Sequence, residues 1–237
     1  MVHDLLDPKM ATVKDYEPPK MEVKQHPKLG IFIPGLTEVP TKSADECFAM
    51  MDRGLGNRAV ASTKMNAVSS RSHCVFMLEL DQNFGNGQNA SARINLVDLA
   101  GSERQKKTGV SGDRMKEATN INKSLTCLAM VIAELAKGNT KTAPFRNSKL
   151  TFILKDALSG NSRTIMLTAL SPAEDNASET VSTLHFAKSV KMIKTSAKAN
   201  VSTSDARAAA LAEIAELKKE LAEQQHAMAQ MQQMLDS

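Results

Sequence analysis

The sequence predicts an α/β fold followed by a separate C-terminal helix. Three observations predict it. Short apolar runs rich in strand formers occur at residues 73–80, 93–99 and 163–170. Residues 120–136, 150–158 and 178–193 instead repeat their apolar positions at helical spacing. Past residue 205, apolar residues recur at alternating steps of three and four.

Residues 1–42 hold Pro8, Pro18, Pro19, Pro27, Pro34 and Pro40, and read as short strands and loops. Within them Gly30-Ile-Phe-Ile-Pro-Gly35 suits an edge strand, because proline removes a ladder donor. Ser43 followed by Glu46 has capping-box spacing and opens a helix through about Met51, with Gly54 and Gly56 as its expected end. The runs HCVFMLEL and RINLVDL flank Gly85-Asn86-Gly87, whose turn chemistry predicts a hairpin. Ile121, Leu125, Leu128, Ile132 and Leu135 mark one face of a helix. A second helix covers residues 150–158, a buried strand RTIMLTAL covers 163–170, and a third helix covers 178–193. Residues 195–204 are small and polar, which reads as a linker. Ala210, Ile214, Leu217, Leu221, Met228, Met231 and Leu235 then follow a coiled-coil pattern broken at Gln224, with a lone surface helix as the alternative.

With 237 residues, 42% of them hydrophobic, the chain can bury a core of one or two domains. No apolar run approaches the roughly 20 residues that span a bilayer, and residues 1–7 lack a signal-peptide pattern. Cys47, Cys74 and Cys127 show no C-x-x-C spacing and read as reduced thiols of a cytosolic protein. The net charge of +4 is concentrated in basic clusters at 104–107, 137–155 and 188–198. Nucleic acid, a membrane surface or an acidic protein could meet such clusters. Aromatic residues make up only 3%, with no tryptophan, so stacking platforms for single strands are missing and an acidic protein partner is preferred.

The chemistry centres on Asn66-Ala-Val-Ser69-Ser70-Arg71-Ser72-His73 and, downstream, Asp98-Leu-Ala-Gly101-Ser102-Glu103. A strand ending in an acid and then a glycine turn is how an α/β nucleotide hydrolase sets a carboxylate near Mg²⁺ and a bare N–H near the γ-phosphate. Alone, D-x-x-G also suits an ordinary turn; the two segments in order say more.

These residues resemble the kinesin motor family. NAVSSRSH is similar to its switch I and LVDLAGSE to its switch II. Further blocks follow in order: Asn120-Ile-Asn-Lys-Ser-Leu125, Pro144-Phe-Arg-Asn-Ser-Lys-Leu-Thr151, Ser159-Gly-Asn-Ser162 and Glu179-Thr-Val-Ser-Thr-Leu-His-Phe-Ala187. Val2-His-Asp-Leu-Leu6 matches a segment that follows the motor's middle, and the likeness covers about residues 1–195. It implies a P-loop NTPase-like motor fold with an incomplete central mixed sheet flanked by helices. Residues 1–194 would be a partial motor domain, 195–204 a neck linker (191–199 on the family's pattern), and 205–237 a neck coiled coil pairing two copies. The motor core precedes its neck, an architecture with the motor toward the N-terminus.

The resemblance also implies roles. Asn66 and Ser69 would reach the γ-phosphate of ATP, Ser70 would ligate Mg²⁺, and Asp98 would hold the ion through water. Gly101 would sense the γ-phosphate through its N–H, while Arg71 and Glu103 would form a gate ordering the attacking water. An ordinary surface ion pair is the alternative for Arg71 and Glu103. Arg104, Lys106, Lys107, Arg114 and Lys116, in the loop after switch II, would face tubulin on the microtubule. So would Lys141, Arg146 and Lys149, in the loop and helix before Leu150; solvated faces without a partner are the alternative. Location would be the cytoplasm, on the microtubule cytoskeleton.

The departures from the family carry as much weight. No G-x-x-x-x-G-K-[ST] occurs in the 237 residues, so the phosphate cradle expected before V-x-D-L-L is missing, and ATPase activity of this chain alone is in question. In the family sheet, the strand feeding that loop lies between those equivalent to residues 93–99 and 163–170. Without it both would expose hydrophobic edges, and the chain alone is expected to be unstable or prone to aggregation. Phe145, Ala129 and Ser189 replace a tyrosine, a glycine and a basic residue that are common in the family. A working ATPase motor and a non-hydrolysing microtubule-binding and dimerising module are the two function classes in contention, with nucleic-acid binding a third.

Overall fold

A computed structural model describes the chain except residues 14, 15, 17, 28, 29, 65–71, 86, 102–112, 204–211, 218, 221, 222, 225, 226, 228, 229 and 232–237, and except the side chains of 11, 60–64 and 113–122. Two compact units form: Met1–Arg58, Phe76–Asn95 and Ala199–Ser237 make the first, and Ala59–Val75 and Leu96–Lys198 the second.

The first unit begins with the short helix α1 (Lys9–Thr12) and the antiparallel pair β1 (Lys24–His26) and β2 (Gly30–Phe32), with Lys24 opposite Phe32. Asp4 is buried, and its carboxylate accepts the backbone N–H groups of Leu6 at 2.8 Å and Thr37 at 2.7 Å. Both oxygens are thus satisfied, as a buried acid requires. Helix α2 (Ala44–Lys64) opens on the expected cap, with Glu46 N–H donating to Ser43 Oγ at 3.2 Å.

Its end departs from expectation, because the helix runs through Gly54 and Gly56. A mid-helix glycine costs only about 1 kcal/mol relative to alanine. Tertiary contact outweighs that cost here. The bare Cα of Gly54 lies close to Leu5 and Leu6, and Asn57 Nδ2 donates to the Leu5 carbonyl at 2.8 Å.

The expected hairpin is present as β3 (Cys74–Asn83) and β4 (Gln88–Asp98), both longer than their apolar runs. Gly85 and Gly87 take the positive φ values, 75° and 79°, that the turn needs. A third strand, β5 (Val201–Thr203), pairs antiparallel with the start of β4, with Gln88 opposite Thr203. The stretch 195–204 is therefore not a plain linker. Ser91 and Asn200 explain why: Ser91 N–H donates to the Asn200 carbonyl and Asn200 Nδ2 to the Ser91 carbonyl, each at 3.2 Å. β-Branched Val201 and Thr203 then suit the edge.

The second unit holds the main core. Helix α3 (Asp113–Ala136) begins seven residues before the expected start, so Arg114 and Lys116 belong to a helix and not to a loop. It packs against α4 (Lys149–Ile153) and α6 (Ala177–Lys191); α5 (Lys155–Ser159) follows α4. Leu128, Val131, Ile132 and Leu135 of α3 pack with Phe145, Leu150, Leu154 and Leu158, and Val75, Phe186, Val190 and Ile193 close around them. Cys127 is buried and Cys47 and Cys74 are half-buried, none of the three in a disulfide.

Residues 163–170 form no strand. Ile165 is 76% exposed and Leu167 92% exposed, against the expectation of burial. A strand needs a ladder partner for its backbone groups; among the described residues none flanks this run. Ile94, Leu96 and Val97 of β4, and Leu99 just after it, are exposed as well. Among the described residues, no helix is long and apolar enough to cross a membrane.

Candidate functional site

Asp98 is the last residue of β4, and Leu99-Ala-Gly101 leaves the strand without regular structure, the segment expected to turn. The Asp98 carboxylate is solvent-exposed, whereas Ala100 is buried. A buried backbone N–H needs an acceptor, and Ala100 N–H finds it in His73 Nδ1 at 3.0 Å. His73 sits immediately before β3, and its other ring nitrogen, Nε2, lies 2.6 Å from Ser124 Oγ on α3. One imidazole therefore joins the start of one strand, the turn that ends another, and a core helix.

Of the residues expected to serve the nucleotide, Asp98 and Gly101 belong to this turn. Asn66, Ser69, Ser70, Arg71 and Glu103 lie outside the described residues. The described pair supplies donor types that a Mg²⁺–phosphate group requires: an accessible carboxylate and, three residues on, a glycine amide with no Cβ to obstruct approach. Among the described residues, no group of three or more His, Cys, Asp or Glu could hold a metal ion by itself.

The basic residues divide in the same way. Arg104, Lys106 and Lys107, and the side chains of Arg114 and Lys116, lie outside the described residues. Lys141 is exposed in the turn after α3. Arg146 lies in a 3-10 turn (Phe145–Asn147), its guanidinium 4.9 Å from the centre of the Phe152 ring, which orients the charge. Lys149 is the first residue of α4, whose first turn holds no acid.

Two residues escaped the sequence reading. His73 received no role, although it closes the NAVSSRSH segment directly before a strand, a place where a ring with two polar ends can bridge elements. Asn161, within the Ser159-Gly-Asn-Ser162 block, holds Lys198 by both of its backbone groups. Its Nδ2 donates to the Lys198 carbonyl at 2.8 Å, and its Oδ1 accepts the Lys198 N–H. No spacing rule links positions so far apart in the chain.

The kinesin motor domain family matches residues 1–193. A human kinesin-like protein, KIF13A, is 42% identical over 233 residues, covering 94% of this chain and 12% of that protein. A kinesin heavy chain from Syncephalastrum racemosum is 46% identical over 206 residues, covering 85% of this chain and 22% of that one. Among solved structures, a fast kinesin superposes with a TM-score of 0.73 at 42% identity, over 84% of this chain and 55% of that one. A KIF14 dimer, solved in a two-heads-bound state with AMP-PNP in complex with a microtubule, gives a TM-score of 0.71 at 40% identity, over 84% of this chain and 56% of that one. The fold is that of P-loop NTPase-like motor heads. The chain belongs to the kinesin family. It spans about an eighth to a fifth of the relatives' lengths and just over half of the solved heads.

Proposed function

We propose that this chain is part of a microtubule-based motor head that hydrolyses ATP with Mg²⁺, in the cytoplasm on the microtubule cytoskeleton. The observation that carries the reading is the β4 end, where an exposed Asp98 is followed three residues later by Gly101, in a segment whose Ala100 N–H is held by His73. In this reading Asp98 holds Mg²⁺ through water and Gly101 N–H meets the γ-phosphate. Asn66, Ser69 and Ser70 complete the nucleotide contacts, and Arg71 and Glu103 gate the attacking water. Such a site works by placing charge and water around a loose transition state. Lys141, Arg146 and Lys149, with Arg104, Lys106, Lys107, Arg114 and Lys116, face tubulin. Residues 195–204 act as a neck linker, and 205–237 pair two copies.

A second reading is a non-hydrolysing microtubule-binding and dimerising module, which the exposed Lys141 and the Arg146 guanidinium over the Phe152 ring would serve equally well. Sedimentation with microtubules across a salt series, with and without ATP, separates the two. The motor reading expects ATP to release the chain and microtubules to accelerate phosphate production. Salt-sensitive binding indifferent to ATP favours the module. No sedimentation even at low salt sinks both.

A further inference from the structure

We propose that His73 is a positioning residue that couples the Asp98–Gly101 turn to helix α3 through a single, fixed tautomer of its ring. The bonding pattern requires it. Ala100 N–H can only donate, so Nδ1, 3.0 Å away, must present its lone pair. A neutral imidazole carries one hydrogen, which then sits on Nε2 and is donated to Ser124 Oγ at 2.6 Å. Both polar ends of the ring are committed to different elements. Ala100 is 4% exposed, so its N–H has no water to fall back on if the ring swings away. Ser124 lies one turn before Leu128, the first member of the α3 core stripe, so the helix end of the link is anchored in the best-packed part of the unit.

The ring is planar and rigid, with its two nitrogens fixed relative to each other. A displacement of α3 along its axis must therefore pull on the Ala100 amide or break one bond. The neighbouring Gly101 amide shares that turn, so its position follows α3. The consequence for nucleotide sensing rests on the motor reading above. The experiment below uses no nucleotide, so either can fail alone.

The test uses the 237-residue chain. Imidazole nitrogen NMR, with the His73 signal identified by its loss in His73→Asn, should show a bare Nδ1 and a protonated Nε2. A proton on Nδ1 overturns the proposal. Amide exchange in Ser124→Ala then reads the coupling. Loss of one neutral hydrogen bond should accelerate exchange at Ala100 about fivefold, with Val131 and Ile132 as slow as before. Unchanged exchange at Ala100 would mean two independent bonds and no coupling. Should Ser124→Ala also free Val131 and Ile132, the helix itself has loosened, and Ser124→Thr, which keeps the hydroxyl, must restore Ala100 protection for the proposal to stand.

Discussion

At the residue scale, two acids near the ends of helices are each held by neighbouring donors. Glu134, in the last turn of α3, accepts from Lys137 Nζ at 2.7 Å and from Asn139 Nδ2 at 2.8 Å, and these bonds, that to Lys137 first, hold its carboxyl below the usual range. Asp7 behaves alike, held down first by the Tyr16 hydroxyl at 2.7 Å and then by the Lys9 N–H. Both are acids whose folded pKa is depressed. They therefore add stability above their unfolded values, 4.5 and 3.8, and that stability is lost as pH falls through the lower folded values. Urea midpoints measured across the acid range should fall in this window for the parent chain and fall less for Glu134→Gln. Equal acid sensitivity in the two would remove Glu134 from the account. The Glu134–Lys137 pair has an i,i+3 spacing that a sequence shows, whereas Asn139 meets Glu134 only because Gly138, at φ 84°, turns the chain back.

At the element scale, local rules read well where local forces decide. The Ser43 cap and the Gly85–Gly87 hairpin follow from residues near them in sequence. The rules fail at α2, where contact with Leu5 and Leu6 carries the helix past Gly54. They fail again at 195–204, where pairing with β4 makes a strand from residues that look like a tether. The candidate site divides in the same way: Asp98 and Gly101 were legible from motif and strand end, while the His73 link needed the third dimension. Glycine offers a sharp check. A Cβ on Gly56 would meet nothing within 4 Å and sits mid-helix. Gly56→Ala should raise unfolding stability by about 0.4–1 kcal/mol, chiefly through the unfolded chain. Gly138→Ala, forced into a left-handed backbone, should lower it. Thermal melts decide both signs, and a destabilising Gly56→Ala would show that α2 is held by something other than its own propensity and the Leu5 contact.

At the scale of the whole molecule, the well-packed helical core contrasts with apolar residues left in water. Leu96, Val97, Leu99, Ile165 and Leu167 are bulky, exposed, and lie in strand-forming sequence. Such residues next to unpaired backbone invite edge pairing between molecules. The apolar run at 163–170 and its missing neighbour were both legible, but not that the run would form no strand, because a strand depends on its neighbours and not on the run itself. Ile165→Glu with Leu167→Glu should slow the growth of light scattering in concentrated solution. Because both positions are already solvent-exposed, stability should change by less than about 0.5 kcal/mol per site. Unaltered scattering would put the sticky surface elsewhere.

Asn161 has a consequence for how residues 192–200 can lie. In an extended chain, the N–H and C=O of one residue face the same side, and those of its neighbours face the other. A single side-chain amide that binds both groups of Lys198 thus fixes which side of the chain faces it, because the groups of 197 and 199 would point the other way. A shift of this segment that kept an equivalent pair of bonds would have to span two residues, roughly 6–7 Å, so Asn161 sets the phase of the segment as well as its place.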